Sequence, residues 1–461
     1  MGNIVIVNET IQGAPTPNRL QSRGAIISQG ATNLAAGSFA LLTQTADLTA
    51  LLASPLSLSS LAWSAGTVTA TAAAAIPGLV TGDTFITKIA GATPSGYNGT
   101  FLATVASSTT FTYALANNPG SESVPGTYTP PNQGELLAMA GSFYGQGASQ
   151  AVYVLELGAV DETTGPPVLS TFIAANPSWF YIYLVPRDWD GSAAFLALQA
   201  QYQSPTAMTY FFTTTTISTY TAYAATMKCI AAAVEAPGIP LTEFSWATAF
   251  QRALSFNPSP TNRMLPLGNG YVYGVTPYPL KNNATLLAAL DAANISYIKT
   301  GVEGGLNANN IIQNGETLDG NDFSWWYSAD YININAHQAT AAAVIEGANN
   351  PLAPLYYNQD GFDSLQDVVV GQINIAIASG LATGTVTVTT LDPTTFAQNL
   401  ANGVYAGQNV VNAVPWGTYV SLNPSDYGAG KYAGISVVYI PQNSFKQIVF
   451  NVLVTQLVAT Q

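Results

Sequence analysis

The sequence predicts an α/β chain of several domains, α+β taken as a whole, and three observations carry that prediction. Between residues 135 and 298, apolar strand-like runs alternate with stretches of helical length and spacing, the rhythm of parallel crossover units. Between 61 and 131 short Thr/Val/Phe runs separated by turn residues take over, as in a small all-β unit. Both ends of the chain are patterned as strands. Ile4, Val5, Ile6 and Val7 follow Met1 closely, and within 445–458 the alternate positions Ile448, Phe450, Val452 and Val454 are apolar. Terminal strands recruit other chains unless the fold covers them, so they are either shielded or used to add a strand to a neighbour's sheet. The second use is the expectation here.

At 461 residues the chain has room for two or three domains, each with its own core. Charged residues are 8% of it, against roughly 25% in ordinary soluble proteins. Ala, Thr, Ser, Asn, Gly and Tyr take the place of charge. Such a neutral surface suits a protein covered mostly by copies of itself. The balance of 11 Lys+Arg against 24 Asp+Glu gives a net charge of −13. Without a basic cluster, nucleic acid is excluded as the expected partner. A single cysteine, Cys229, excludes an intramolecular disulfide and a multi-cysteine metal site, and its setting reads as a packed thiol. The N-terminus lacks a basic region before an apolar run, and no apolar stretch nears the roughly 18 residues of a membrane span. Ile6 stands where a myristoylation motif has Ser or Thr. A chain made in a cytoplasm, without membrane insertion, is expected.

The elements follow in order. A polar arm with Pro15 and Pro17 leads from the first strand to the strand Gly24-Ala25-Ile26-Ile27-Ser28, and 38–53 has helical spacing through Leu41, Leu42, Leu48, Leu51 and Leu52. The all-β insertion is bounded by 57–60 and 130–134, which read as paired linkers. Helices are expected at 135–143, 168–175, 192–203, 220–227, 241–255 and 284–293, and strands at 151–157, 179–185, 208–215, 230–234 and 295–298. Asn314-Gly315 within 311–318 signals a hairpin, and Trp325-Trp326 opens a long helix to about residue 346. At 363–380, Leu365, Val368, Val369, Ile373, Ala376 and Ile377 form one apolar stripe, Asp363 with Gln366 resembles a capping box, and Gly380 closes the helix. Strands at 385–390 and 436–440 precede the terminal one.

The motifs that could carry chemistry are weak. His337, the lone histidine, lies in an expected helix with no Gly-x-Ser-x-Gly elbow in the chain and reads as structural. Asp188-Trp189-Asp190-Gly191 starts like a calcium loop but lacks the later ligands and the closing Glu; a turn after a strand is the better reading. Gly428-Ala429-Gly430-Lys431 evokes a phosphate loop, yet Ser425 stands where its first glycine belongs and Tyr432 follows the lysine. Carboxylate pairs such as Glu303 with Asp319, or Asp360 with Asp363, would suit a glycan-cleaving enzyme, though nothing ties either pair to a cleft. No catalytic residue, cofactor or metal ligand is expected.

Four stretches taken together resemble the tail sheath proteins of contractile-tailed bacteriophages. They are the N-terminal strand, arm and Gly-Ala-Ile-Ile strand; 135–158, where a helix ending in an aromatic pair precedes Ala-Val-Tyr-Val-Leu; 311–326 with Asn314-Gly315-Glu316-Thr317-Leu318; and Ser436-Val437-Val438-Tyr439-Ile440 followed by 445–454. The resemblance covers most of the chain except 61–131. It implies a non-enzymatic homo-oligomer of stacked hexameric rings around a tail tube, part of a virion assembled in the host cytoplasm. A trigger at the baseplate would contract it and drive the tube into the host. Tail tube protein, baseplate and tail terminator proteins are the implied partners. Strand donation to a neighbour would fall to Ile4, Val5, Ile6, Val7, Ile448, Phe450, Val452 and Val454. Asp363 and Asp367, four apart on one helix face, would contact the tube; the plainer reading has them favour the helix N-terminus. The implied domains are 1–23 as an arm belonging with the C-terminal domain, 24–60 with 132–283 as an outer α/β domain, 61–131 as the insertion, and 284–461 as the inner sheath domain. A different repeating surface protein, S-layer-like or adhesive, is the alternative.

Overall fold

The computed structural model describes residues 20–147, 150–223, 226–303 and 306–443. The expected strand-donating residues Ile4, Val5, Ile6, Val7, Ile448, Phe450, Val452 and Val454 lie outside them. The described chain divides into two compact units, 23–255 with 265–327 and 256–264 with 328–440.

Strand β1 (Gly24–Ser28) is buried along its whole length, as an apolar run covered on both faces must be. Gly24 lets helix residues pack close to it: a Cβ would lie 2.6 Å from Leu254 Cδ1 and 2.8 Å from Phe250 Cζ, so both side chains would have to shift. The helix expected over 38–53 is instead a short strand, β2 (Phe39–Leu42), then helix α1 (Thr45–Leu51). Asp47 explains the break. Its carboxylate accepts from the Thr43 amide and hydroxyl and from the Gln44 amide, starting the helix late. Residues 39–42 are left to pair antiparallel with a strand of the main sheet.

The insertion is a closed barrel of β3 (Leu56–Ser64), β4 (Thr67–Ala72), β5 (Thr84–Ala90), β6 (Gly99–Ser107), β7 (Thr110–Ala114) and β8 (Thr127–Tyr128), in the order β3-β4-β7-β6-β5-β8. It therefore starts at residue 56 rather than 61. In β4 threonines face outward while Val68 and Ala70 are buried, the alternation a barrel demands. Phe85, Phe111, Tyr113 and Tyr128 fill the interior.

Then follow α2 (Gln133–Tyr144), β9 (Val152–Glu156), α3 (Gly165–Ala175), β10 (Ile182–Leu184), α4 (Ala193–Ala200), β11 (Tyr210–Thr215), β12 (Ile230–Val234), α5 (Trp246–Leu254), β13 (Tyr271–Val272), α6 (Ala284–Ala292), β14 (Ser296–Glu303) and β15 (Leu306–Gln313). Among the described residues of 220–227, where a helix is expected, there is a 3-10 turn at Tyr220–Ala222. The sheet order is β13-β15-β14-β12-β11-β10-β1-β9-β2. Its six central strands are parallel, with antiparallel strands at both margins. Helices cover both faces. Phe211 meets Phe195 of α4 on one side, and Phe212 stacks on Trp246 of α5 on the other, since neighbouring strand residues point oppositely. Cys229 is buried, its thiol 3.3 Å from the Gln199 carbonyl and pushed up to about 12 by desolvation.

Two expectations fail in this region. Asn314 and Gly315 do have positive φ, but the hairpin pairs β14 with β15, and 314–315 lead into a bridge between Glu316 and Asp322. The expected domain edge at 283/284 is not where the chain divides. β14 pairs with β12 through Ala233 and Ser296, which holds 284–327 in the large-sheet unit, and the boundary falls within α7 (Phe323–Asn349).

The second unit continues from α7 through α8 (Gln359–Ala378), β16 (Val386–Thr389), α9 (Pro393–Ala401), β17 (Asn409–Ala413), α10 (Trp416–Leu422), α11 (Pro424–Ala429) and β18 (Ile435–Val438). Helix α8 starts four residues before the expected Asp363. Asn358 caps it by accepting from the Gly361 amide. Gln366, expected in a capping box, is buried and donates to the carbonyls of Thr389 and Val411, each at 2.9 Å. The three strands lie in the order β16-β17-β18, parallel then antiparallel. Val411 packs with Ile332 of α7 and Val369 and Ile373 of α8. Val410, on the opposite face, packs with Phe396 of α9 and Tyr405.

Candidate functional site

The feature that stands out is the three-stranded sheet of the second unit. β17 is paired on both sides, but among the described residues β16 and β18 each pair on one side only. Their sequences, Val-Thr-Val-Thr and Ile-Ser-Val-Val, contain no charge and no proline. Natural edges are usually blunted by one or the other. Val388 on β16 is 50% exposed and Val437 on β18 41%. Gly434 leads into β18, and beyond it the Ile440 amide donates to the Asn409 side chain, which keeps the segment against the sheet up to that point.

Beside β18 runs an open groove of about 970 Å³, floored by Ile332, Leu365 and Val369 and walled by Val344, Val437 and Tyr439. The last turns of α7 stand over it with Val344 51% and Ile345 64% exposed. An apolar trough next to an unpaired strand edge offers backbone hydrogen bonds and side-chain burial to the same extended segment. Each such backbone bond contributes about 1 kcal/mol net. Covering a Val or Ile side chain fully contributes about 1.5–3 kcal/mol.

His337 sits on the exposed surface of α7 at the groove wall, and its side chain has no hydrogen-bond partner among the described residues. Asp363 and Asp367 are both exposed on α8, and Gln359 donates to Asp363 at 2.7 Å. Asp360 is exposed on the first turn of α8. Asp319 is occupied by Thr317, Asn321 and the Trp326 indole N–H; the Glu303 side chain lies outside the described residues. Asp319, Asp360, Asp363 and Asp367 do not line this groove. Gly428 to Lys431 is no phosphate loop: it closes α11, with Gly430 left-handed at φ 64°.

The large sheet has its own conspicuous place. Its connections change direction between β1 and β10, the switch point where open α/β sheets hold ligands beyond the strands' carboxyl ends. Here that position is built over. Glu156, buried at the end of β9, accepts from the hydroxyls of Ser28 and Thr32 and the amides of Gly30, Thr32 and Gly158. Arg187 follows β10 and binds Glu235 through two nitrogens at 2.7 and 3.1 Å. Leu79, Phe85 and Ile86 of the barrel region lie over the crevice. Asp188 and Asp190, the calcium-like pair, are engaged by protein donors, Gln29 for the first and Tyr223 and the Thr216 amide for the second.

Sequence reasoning missed β17 and α9. The cue for α9 is Asp392-Pro393, a capping residue followed by proline at the first helical position. For β17 it is the fully buried Asn-Val-Val-Asn-Ala run, whose Asn412 ties Thr389 and Leu391 to the strand. Among the described residues no helix is long and apolar enough to cross a membrane, and no acidic, His or Cys group has a metal-binding arrangement.

No protein-family model and no curated protein matches this sequence. Among solved structures, 98% of the chain matches 98% of a chain in the cryo-EM structure of the six-fold symmetrised anti-feeding prophage baseplate, with a TM-score of 0.53 at 11% identity. A sheath tail protein from Listeria innocua matches over 78% of this chain and 86% of its own, with a TM-score of 0.39 at 10% identity. The likeness is one of fold: a multidomain α/β chain shared from end to end with a chain of a prophage baseplate.

Proposed function

We propose that this chain is a structural subunit of a contractile phage tail sheath, polymerising around a tail tube and contracting to drive the tube through the host envelope. The observation that carries the reading is the three-stranded sheet whose two uncharged edges are open among the described residues, one of them, β18, beside an apolar groove. The same chain carries strand-patterned ends, Ile4 to Val7 and Ile448 to Val454. Donation of those ends to a neighbour's β16 and β18 edges would link subunits through main-chain bonds that survive sliding of the rest. A charge content of 8% suits broad dry contacts that can be exchanged for larger ones. On this reading the chain is not an enzyme, the partners are copies of itself in stacked hexameric rings, tail tube protein, and baseplate and terminator proteins, and Asp363 and Asp367 face the tube.

The test is electron microscopy of the purified protein at high concentration, with and without residues 445–461. Hollow tubes of uniform width from the full chain, and dispersed folded subunits from the truncated one, are the expected pair. Tubes from both would remove strand donation by the C-terminal segment. Flat sheets or fibres from the full chain would favour the surface-array reading.

A further inference from the structure

The crevice under the barrel concentrates charge in a chain that has little. A cleft of about 390 Å³ is lined from the barrel side by Asp83, Phe85 and Ile86, and from the sheet side by Glu135, Arg187 and Asp188. The barrel is seated closely: a Cβ on Gly134 of α2 would be 3.2 Å from Ile86 Cβ, and one on Gly78 would be 2.7 Å from the Val160 carbonyl. Positive charge comes from Arg187 alone among the lining residues. Its side chain is taken by Glu235 at 2.7 Å and the Glu243 carbonyl at 2.6 Å, with Glu135 3.9 Å away. The Glu243 carboxylate is held by Thr276. Asp188 receives one hydrogen bond, from Gln29, while its other oxygen is buried without a partner, as is one oxygen of Glu162. The charged groups that act on Asp188 are all carboxylates: Glu135 from α2, Glu162 from the loop before α3, and Asp83 from the barrel.

We propose that this cleft is a pH-dependent latch, in which a proton on the Asp188 carboxyl holds the barrel more firmly on the large sheet. Desolvation first, then the neighbouring Glu135, Glu162 and Asp83, push Asp188 up to about 8, from an ordinary 3.8. Glu135 is raised as well, by desolvation. With the barrel unseated, water enters and Asp188 returns toward its ordinary value. Between those two values the seated form binds the extra proton, so seating is strongest at low pH and weakens by up to about tenfold per pH unit as pH rises. Above about 8 the seated form ionises too, and the dependence levels off. The inference does not depend on the sheath reading.

Limited proteolysis of the two linkers, 53–55 and 129–132, follows seating in the intact protein; cleavage of denatured chain at each pH calibrates the protease. The opening constant is expected to rise at least tenfold from pH 6 to 8 and then flatten. Asp188→Asn should abolish the rise. Asp83→Asn, on a turn of the barrel, should keep the rise but bring the plateau to lower pH, because it removes a neighbouring negative charge only while the barrel is seated. A pH-independent wild type, or the same rise in Asp188→Asn, overturns the latch. Should Asp188→Asn fail to fold, Asp83→Asn decides, and an unshifted plateau overturns it.

Discussion

Two small β structures in this chain resolve the same difficulty in opposite ways. The barrel of 56–128 and the sheet β16-β17-β18 are both built from short, nearly chargeless strands rich in Thr and Val. In the barrel, β8 pairs with both β3 and β5, so no edge is left and Phe111 and Tyr128 are sealed inside. In the second unit β16 and β18 stop with one side unpaired among the described residues, and valines remain half exposed. Closure makes a self-contained module that can be inserted anywhere its two ends meet; Leu56 and Tyr128 are register partners. An open edge leaves room for a further strand, which closure does not.

Substitutions can sharpen that contrast. Phe111→Ala should lower the stability of the barrel by about 3–5 kcal/mol, seen as an earlier unfolding phase in calorimetry, while tubes still form. Gln366→Leu leaves the carbonyls of Thr389 and Val411 without their buried donor and should cost the second unit about 1–3 kcal/mol; loss of assembly in step with that unit's unfolding is the expected outcome in denaturant. Val437→Asp acts on the β18 edge and the groove wall beside it. It should leave the melting temperature of the dispersed subunit within a degree or two and raise the critical concentration for polymerisation at least tenfold, about 1.4 kcal/mol. Asp363→Asn with Asp367→Asn should change subunit stability by less than about 0.5 kcal/mol, since both side chains are exposed. Weaker binding of purified tube protein by this double variant would assign the face; unchanged binding would move the tube contact elsewhere.

What was legible in the sequence follows the same physics. Strands buried on both faces announce themselves as apolar runs, and Ile230–Val234 was bounded correctly. Period-two threonines marked the barrel because one face meets water and the other a core. Pairing partners leave no such trace. Phe39–Leu42 looked helical because Leu41, Leu42 and Leu48 share a helical face, yet pairing with β9 and the Asp47 cap override local preference. Asn314-Gly315 has turn conformation and was assigned to the wrong pair of segments. The edge positions that β16 and β18 hold among the described residues could not be read, because neither strand carries the usual edge marks, charge or proline. Arg187 and its carboxylates are scattered over 48 and 52 residues of separation, so only the fold brings them to one crevice.

Strand donation, as proposed, docks one chain's terminal segment on another's β18. Mixing two single-site variants, Val437→Cys with each of Ile448→Cys, Phe450→Cys, Val452→Cys and Val454→Cys in turn, tests this under mild oxidation. Cys229 stays silent, because it is buried and its thiol is pushed up to about 12. A covalent dimer formed in assembled tubes with at least one partner, and absent from dispersed subunits, is the predicted result. Tubes that assemble fully from every mixture without any such dimer would contradict strand donation to β18.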